Sequence, residues 1–187
     1  MPPRRRIGGR PQQRSALSVA SGPWRRRCLL AIALAGVAQA ASFGAVALAD
    51  DERRFAEGLE AYDAGDFATT VGAWLPLAEA GCVEAQVSLA DLYLNGFGIP
   101  ADSSAAARWY RSAAETGDPV AQLNLGDLHA RGRGVRRDFR EAYFWLDLAA
   151  RQGNRWAASR RDEIAAFLSA AERTEARERA QQFKPSE

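Results

Sequence analysis

Apolar residues recur every three or four positions through most of the chain after residue 50. In one stretch they stand at Ala85, Leu89, Leu92 and Tyr93, which is the spacing of one face of a helix. Glycine and aspartate interrupt the pattern at short intervals, where they favour turns and helix ends. The pattern therefore predicts an all-α protein built from short amphipathic helices.

The chain repeats itself with a period of 36 residues. When residues 85–117 are aligned with residues 121–153, 13 of the 33 positions are identical. A fixed period of this length is typical of a repeat array, in which each unit buries its apolar face only against its neighbours. Each unit contains two stretches with helical spacing. We therefore expect two short helices per unit.

Helix ends are marked by residues suited to them. Asp102 and Asp138 precede the second helix of their units as N-cap candidates, and the pair Asp118-Pro119 opens a first helix. A Gly-x-Gly sequence at 96–98 and again at 132–134 separates the two helices of a unit. We interpret these glycines as turns, because no Gly-Lys-Ser/Thr sequence of a phosphate-binding loop follows them.

The repeated residues resemble a known family, the Sel1-like repeat. The second full copy matches its pattern at Ala121, Leu125, Gly126, Leu128, Gly132, Gly134, Val135, Asp138, Ala142, Trp145, Ala149, Ala150 and Gly153. A shorter copy at 58–81 is similar to the related tetratricopeptide repeat. The resemblance implies a right-handed α/α solenoid with a C-terminal capping helix. Its predicted parts are a domain at 50–170 with units at about 52–81, 83–117 and 119–153, a cap at 154–170, and a charged helix or tail at 171–187.

The same resemblance implies an interaction scaffold that binds a protein partner. Many Sel1-like proteins are exported by bacteria and serve in envelope signalling, envelope assembly or exopolysaccharide regulation. A cysteine-rich branch is credited with β-lactam hydrolysis or small-molecule binding, and it bridges each repeat with a disulfide. This chain has no cysteine pairs at the matching positions, so that activity is only the alternative interpretation.

Residues 1–49 have the composition of an export signal. Residues 28–49 carry no charge and follow three consecutive arginines, and small residues precede two candidate cleavage sites, after Ala40 and after Ala49. Residues 26–30 also resemble a twin-arginine signal, so either export route fits. We expect a periplasmic or secreted protein. The alternative is an uncleaved inner-membrane anchor on a structural subunit, because 22 residues at about 1.5 Å each just span a bilayer core.

Charge is distributed unevenly along the chain. Residues 1–49 hold eight arginines and no acid, which leaves a net charge of −6 on the remaining 138 residues. Within those, residues 50–102 carry −9 and residues 103–187 carry +3. A net acidic body makes nucleic acid an unsuitable partner. A cluster of arginines is a candidate patch for an anionic polymer, an acidic protein or a lipid headgroup; it comprises Arg133, Arg136, Arg137 and Arg140.

The sequence offers little catalytic chemistry. Its only histidine, His129, occupies the repeat position of Tyr93 and is interpreted as a packing or groove residue. The two cysteines, Cys28 and Cys82, are too few for a multi-cysteine zinc site. We interpret Cys82 as a small packed residue, with an intermolecular disulfide or a reactive thiol as alternatives. We therefore predict no enzymatic activity, no metal and no cofactor.

A partner is expected on the first helix of each unit, which lines the concave side of a solenoid. Asp91 and Asp127 occupy equivalent positions, one turn before Asn95 and Arg131. We take Asp91 to be a surface residue, so that its replacement by alanine leaves the free energy of unfolding within about 0.5 kcal/mol. The predicted groove residues are Tyr62, Asp63, Asp91, Asn95, Asp127 and Arg131.

Overall fold

The computed structural model describes the backbone of residues 41–186 and the side chains of residues 50–186. Within this part of the chain the regular structure consists of eight α-helices and no strands, which confirms the all-α prediction. The helices are α1 (Ala41–Ala64), α2 (Phe67–Glu79), α3 (Val83–Asn95), α4 (Ser103–Glu115), α5 (Pro119–Arg131), α6 (Phe139–Arg151), α7 (Arg155–Ala165) and α8 (Ala170–Gln182).

Consecutive helices pack against each other in a regular order. The pairs α1–α2, α3–α4 and α5–α6 form hairpins, and the second helix of each hairpin packs against the first helix of the next. Two adjoining clusters of buried apolar residues run through the array and share contacts with Trp109. The arrangement is the predicted α/α solenoid, since each unit buries its apolar face only between its neighbours.

The predicted helix starts are confirmed by hydrogen bonds. The Asp102 carboxylate accepts the N–H groups of Ser104 and Ala105 at 2.8 and 3.0 Å. Asp118 and Asp138 cap α5 and α6 in the same way. These side chains satisfy backbone donors that would otherwise have no partner in the first turn. The starts of these short helices are therefore set locally, by the aspartates that precede them in the sequence.

A buried glutamine joins each repeat to the preceding one. Gln86 Nε2 donates to the carbonyl oxygen of Ala78 at 3.0 Å, and Gln122 Nε2 donates to that of Ala114 at 3.2 Å. Both glutamines are almost completely buried, and both acceptors lie in the last turn of the previous second helix. Because that turn has unpaired carbonyls, the glutamine satisfies one of them and links the two units.

The array ends at α7 because its outer residues do not suit another helix. In α5 a Cβ at Gly126 would lie 2.8 Å from Leu146, so glycine lets α6 approach closely. The residue 36 positions later is Asp162, whose side chain is 70% exposed. Among the described helices none continues the array there; α8 instead turns back and packs on α6.

Arg161 forms an ion pair at a repeat position that holds leucine in the preceding unit. It stands 36 residues after the buried Leu125. Its guanidinium binds the Asp147 carboxylate at 3.0 Å, and that side chain is only 3% exposed. Arg151 binds the other oxygen of Asp147 at 2.6 Å. The contact between α6 and the cap therefore contains a buried carboxylate held by two arginines, which offset the cost of burying its charge.

The predicted export signal lies outside the described residues, apart from the backbone of 41–49. That backbone is helical and continues through Asp50 as the start of α1. None of the helices in the described part combines the length and apolar character that a membrane span requires. Cys82 is buried, as expected for a packed residue.

Candidate partner-binding face

The first helices of the units leave one stripe of side chains outside the core. We call this surface the first-helix face. It recurs at intervals of 36 residues from α3 to α5 to α7, so each position has counterparts on the neighbouring helices. The face comprises Glu84, Val87, Ser88, Asp91 and Asn95 on α3, Val120, Leu123, Asn124, Asp127 and Arg131 on α5, and Trp156, Ser159, Arg160 and Glu163 on α7.

Asp91 is the member of the face most closely tied to the core. The hydroxyl of Tyr110, a fully buried residue of α4, donates to Asp91 Oδ1. Desolvation by the surrounding protein raises the pKa of the Asp91 carboxyl, and the Tyr110 hydrogen bond partly opposes this rise. Desolvation and the nearby Asp91 charge also raise the pKa of Tyr110. Asp91 therefore satisfies a buried hydroxyl in addition to facing the surface, which corrects its interpretation as a surface residue only.

Tyr62 and Asp63 extend the face onto α1. Tyr62 is half-buried, with its ring stacked on Trp74 at 5.9 Å and edge-on to Phe67 at 5.5 Å. Burial raises the pKa of Tyr62, and the negative charges of Asp91 and Asp63 raise it further. The structure thus brings three of the predicted groove residues into one neighbourhood. Tyr62 contributes there chiefly through packing.

Asp127 lies at the repeat position of Asp91 but has different partners. Arg131 Nε binds one of its oxygens at 2.7 Å, and Arg160 of α7 binds the other at 2.6 Å. Arg160 also pairs with Glu163. The pKa of Arg160 is raised, chiefly by its hydrogen bond to Asp127. The first-helix face therefore changes from an acidic surface at α3 to a network of paired charges between α5 and α7.

Apolar side chains complete the face, and they were not among the predicted groove residues. Val120 is 37% exposed and Trp156, at the equivalent position of α7, is 76% exposed. Val87 and Leu123 form a second equivalent pair, and both are half-buried. The 36-residue spacing was the signal that would have found them. The predicted set contained polar residues only, and it also lacked Arg160.

The predicted arginine patch is partly used by the protein itself. Arg133 donates to the carbonyl oxygen of Leu94 at 2.7 Å and to Ser103 Oγ at 3.2 Å. Arg140 binds Glu172 of α8 at 2.6 Å. The Arg137 guanidinium lies over the Phe139 ring, 5.6 Å from its centroid, and Arg136 is exposed. Arg133 and Arg140 therefore already have partners within the protein, and the patch stays a prediction.

His129 is part of the packing between units. It is 7% exposed, and its Nε2 lies 3.2 Å from a guanidinium nitrogen of Arg111. Burial lowers the pKa of His129, and the positive charge of Arg111 lowers it further. The neutral imidazole is therefore favoured. Among the described residues there is no group of three or more side chains arranged to hold a metal ion.

Comparison with known proteins agrees with this architecture. The Sel1 repeat family matches residues 83–118 and 119–154. No curated protein matches the chain. One similar crystal structure is that of a protective antigen present in uropathogenic Escherichia coli strains and displaying an SLR fold. Its TM-score is 0.68 at 27% identity, over 75% of this chain and 31% of the antigen chain.

A second similar structure is the Sel1 repeat protein from Oxalobacter formigenes. Its TM-score is 0.54 at 29% identity, over 57% of this chain and 44% of that chain. This chain thus spans less than half of the length of either structure. Both resemblances concern the helical array described above. Residues 83–154 match two consecutive Sel1 repeats, and the described part of the chain resembles the repeat solenoids of both structures.

Proposed function

We propose that the protein is an exported, non-enzymatic scaffold that binds a partner protein along its first-helix face. Sel1 repeat proteins are typically protein-interaction scaffolds. In a repeat array the core positions are shared between units, whereas the exposed positions are free to vary with the partner. The surface positions of the first helices therefore define the proposed site.

The observation that carries this proposal is the exposure of Trp156. A tryptophan side chain 76% exposed at the surface leaves a large apolar area in water. Tryptophan is also among the residues most enriched at the energetic centres of protein interfaces. Because Trp156 and Val120 occupy equivalent positions on adjacent first helices, one partner segment that crosses both helices would contact both side chains.

Charge gives the proposed site a direction. Residues 50–102 carry a net charge of −9, whereas the acids of α5 and α7 on the face are paired with arginines. A partner segment would therefore place basic residues against α1 and α3, and apolar residues against Val120 and Trp156. Long-range attraction of this kind acts mainly on the association rate and weakens with salt.

A site-specific crosslinking experiment tests the binding face. The full chain would carry a photoreactive residue in place of Trp156, or in place of Phe167 as a control. Phe167 is 63% exposed, but it follows the end of α7 and stacks on Phe139, the first residue of α6, with 4.7 Å between the ring centroids. We expect one partner crosslinked through position 156 and absent from position 167 in the envelope of the encoding organism. Equal crosslinking from both positions, or none from either, would contradict the proposed face.

Export requires a separate measurement. Intact-mass analysis of the protein recovered from the envelope reports its first residue. A mass that begins at Asp50 or Ala41 supports an exported, processed scaffold. A mass that retains residues 28–49, together with fractionation in the membrane, would favour the tethered structural subunit instead.

A further inference from the structure

The C-terminal segment follows the last first helix and packs on α6. We call residues 170–186 the C-terminal strap. Its helix α8 turns away from α7 and lies on α6, and its last residues reach the end of α4, where Ser186 N donates to the carbonyl oxygen of Glu115 at 2.8 Å. The strap thus forms an additional layer over α6 and the end of α4.

The strap is held mainly by its charged and aromatic side chains. Within α8 only two residues, Ala176 and Ala180, are buried. Arg179 binds Glu141 at 2.8 Å and lies over the Phe144 ring at 4.5 Å from its centroid. Ion pairs of this kind, with side chains 46% and 27% exposed, are screened by salt. The attachment therefore combines ion pairs that salt weakens with the burial of Ala176 and Ala180 in the core cluster of the repeats.

Aromatic contacts define the remaining part of the surface. Arg177 lies over the Tyr143 ring at 5.8 Å, and Phe183 meets Trp145 edge-on at 5.9 Å. At the repeat position of Trp145 in the preceding unit, Trp109 is only half-buried. The rings of α6 thus receive two arginines and one aromatic side chain from the strap. The surface of α6 therefore contacts cationic and aromatic side chains.

The strap does not satisfy every polar group of α6. Tyr143 is fully buried and Trp145 is 4% exposed, yet within the described part of the chain neither Tyr143 OH nor Trp145 Nε1 has a hydrogen-bond partner. Buried polar groups without partners are uncommon and unfavourable. Both groups belong to rings that the strap contacts. A ligand that reached either polar atom would gain a hydrogen bond that the strap does not make.

We propose that α6 carries a second interaction surface, specific for a partner helix with two arginines followed by an aromatic residue, and that the C-terminal strap is its exchangeable resident ligand. The surface comprises Glu141, Tyr143, Phe144 and Trp145. This surface lies on α6, a second helix, and is separate from the first-helix face. The proposal therefore does not depend on the scaffold function proposed above.

The test uses the full chain with a weakened strap and a labelled peptide of residues 170–187. The variant Arg179→Glu/Phe183→Ala changes only the strap and leaves α6 intact. We expect the peptide to bind this variant at least tenfold more tightly than it binds the wild-type protein, whose surface is occupied. A peptide with the same two substitutions is the matched control and should bind at least tenfold more weakly. Equal affinities for variant and wild type would overturn the proposal.

A second measurement remains decisive if the variant does not fold. In the wild-type protein, amide hydrogen exchange in α8 should accelerate at least fivefold between low salt and 0.5 M salt, while exchange in α4 and α5 stays constant. Exchange in α8 that follows α5 at every salt concentration would overturn the proposal. A concentration-dependent dimer in sedimentation would assign the surface to the strap of a second copy, and so overturn the assignment to a different protein.

Discussion

Gly134 lies against Ser103 of the preceding unit so closely that a Cβ on Gly134 would stand 2.0 Å from the Ser103 carbonyl oxygen. The same contact occurs one unit earlier, where a Cβ on Gly98 would stand 2.4 Å from the carbonyl carbon of Phe67. In both cases the second glycine of the Gly-x-Gly turn meets the first residue of the previous second helix. The turns therefore also join successive units.

This contact makes Gly134 a stability determinant. Gly134→Ala should lower the free energy of unfolding by about 2–4 kcal/mol, since alanine is strained at a φ of +72° and its Cβ collides with backbone. Gly153→Ala is the matched control, because its φ is +86° but no atom lies within 4 Å. It should lose only about 1–2 kcal/mol. Equal losses in urea unfolding would show that the close approach is unimportant.

Trp145 lies in the core, whereas Trp156 lies on the surface. Trp145 is 4% exposed and Trp156 is 76% exposed. Trp145→Ala should cost about 3–5 kcal/mol by leaving a cavity between α6 and its neighbours. Trp156→Ala should stay within about 0.5 kcal/mol of the wild type. Urea midpoints of the two purified variants measure both effects, and a negligible loss for Trp145→Ala would contradict its buried role.

Asp91 should matter more for stability than its place on the surface suggested. Asp91→Ala leaves the buried Tyr110 hydroxyl without its acceptor. We therefore expect the free energy of unfolding to fall by about 1–3 kcal/mol. The sequence alone predicted a change within about 0.5 kcal/mol. Asp91→Asn keeps an acceptor oxygen and should lose about 1 kcal/mol or less. In a Tyr110→Phe background the effect of Asp91→Ala should largely disappear. Additive losses in that cycle would contradict the hydrogen-bond explanation.

Glu172 should make attachment of the C-terminal strap sensitive to acid. Its carboxylate accepts the Ser169 N–H at 2.8 Å and binds Arg140. The hydrogen bonds from Ser169, and to a smaller extent the contact with Arg140, lower the pKa of Glu172 to about 2. Because the folded-state pKa is below the ordinary value of 4.5, the stabilisation is complete above pH 4.5 and disappears as the pH falls toward 2.

Thermal unfolding of the wild type and of Glu172→Gln checks this sign. The wild type should have the higher midpoint at pH 7, and the difference should shrink between pH 4.5 and pH 2. A difference that is constant over this range would show that the Glu172 charge contributes nothing to the fold.

The sequence by itself determined the helices, their caps and the repeat order. These features depend on residues close together in the chain. A capping aspartate accepts the N–H groups two and three residues later, and the spacing of apolar residues marks the buried face of a helix. Asp102, Asp118 and Asp138 could therefore be assigned as caps from the sequence alone. The repeat period also gave the correct packing order, because neighbouring units in a solenoid are neighbours in sequence.

Only the tertiary structure decided which side chains meet across helices. Asp91 and Asp127 occupy the same position of the repeat, yet one accepts from Tyr110 and the other binds Arg160, because the residues that reach them belong to other helices. The return of α8 onto α6 was equally hidden, since a charged helix with two buried alanines has no marked apolar face. Local signals specify each element, whereas partners distant in sequence are specified only by how the elements pack.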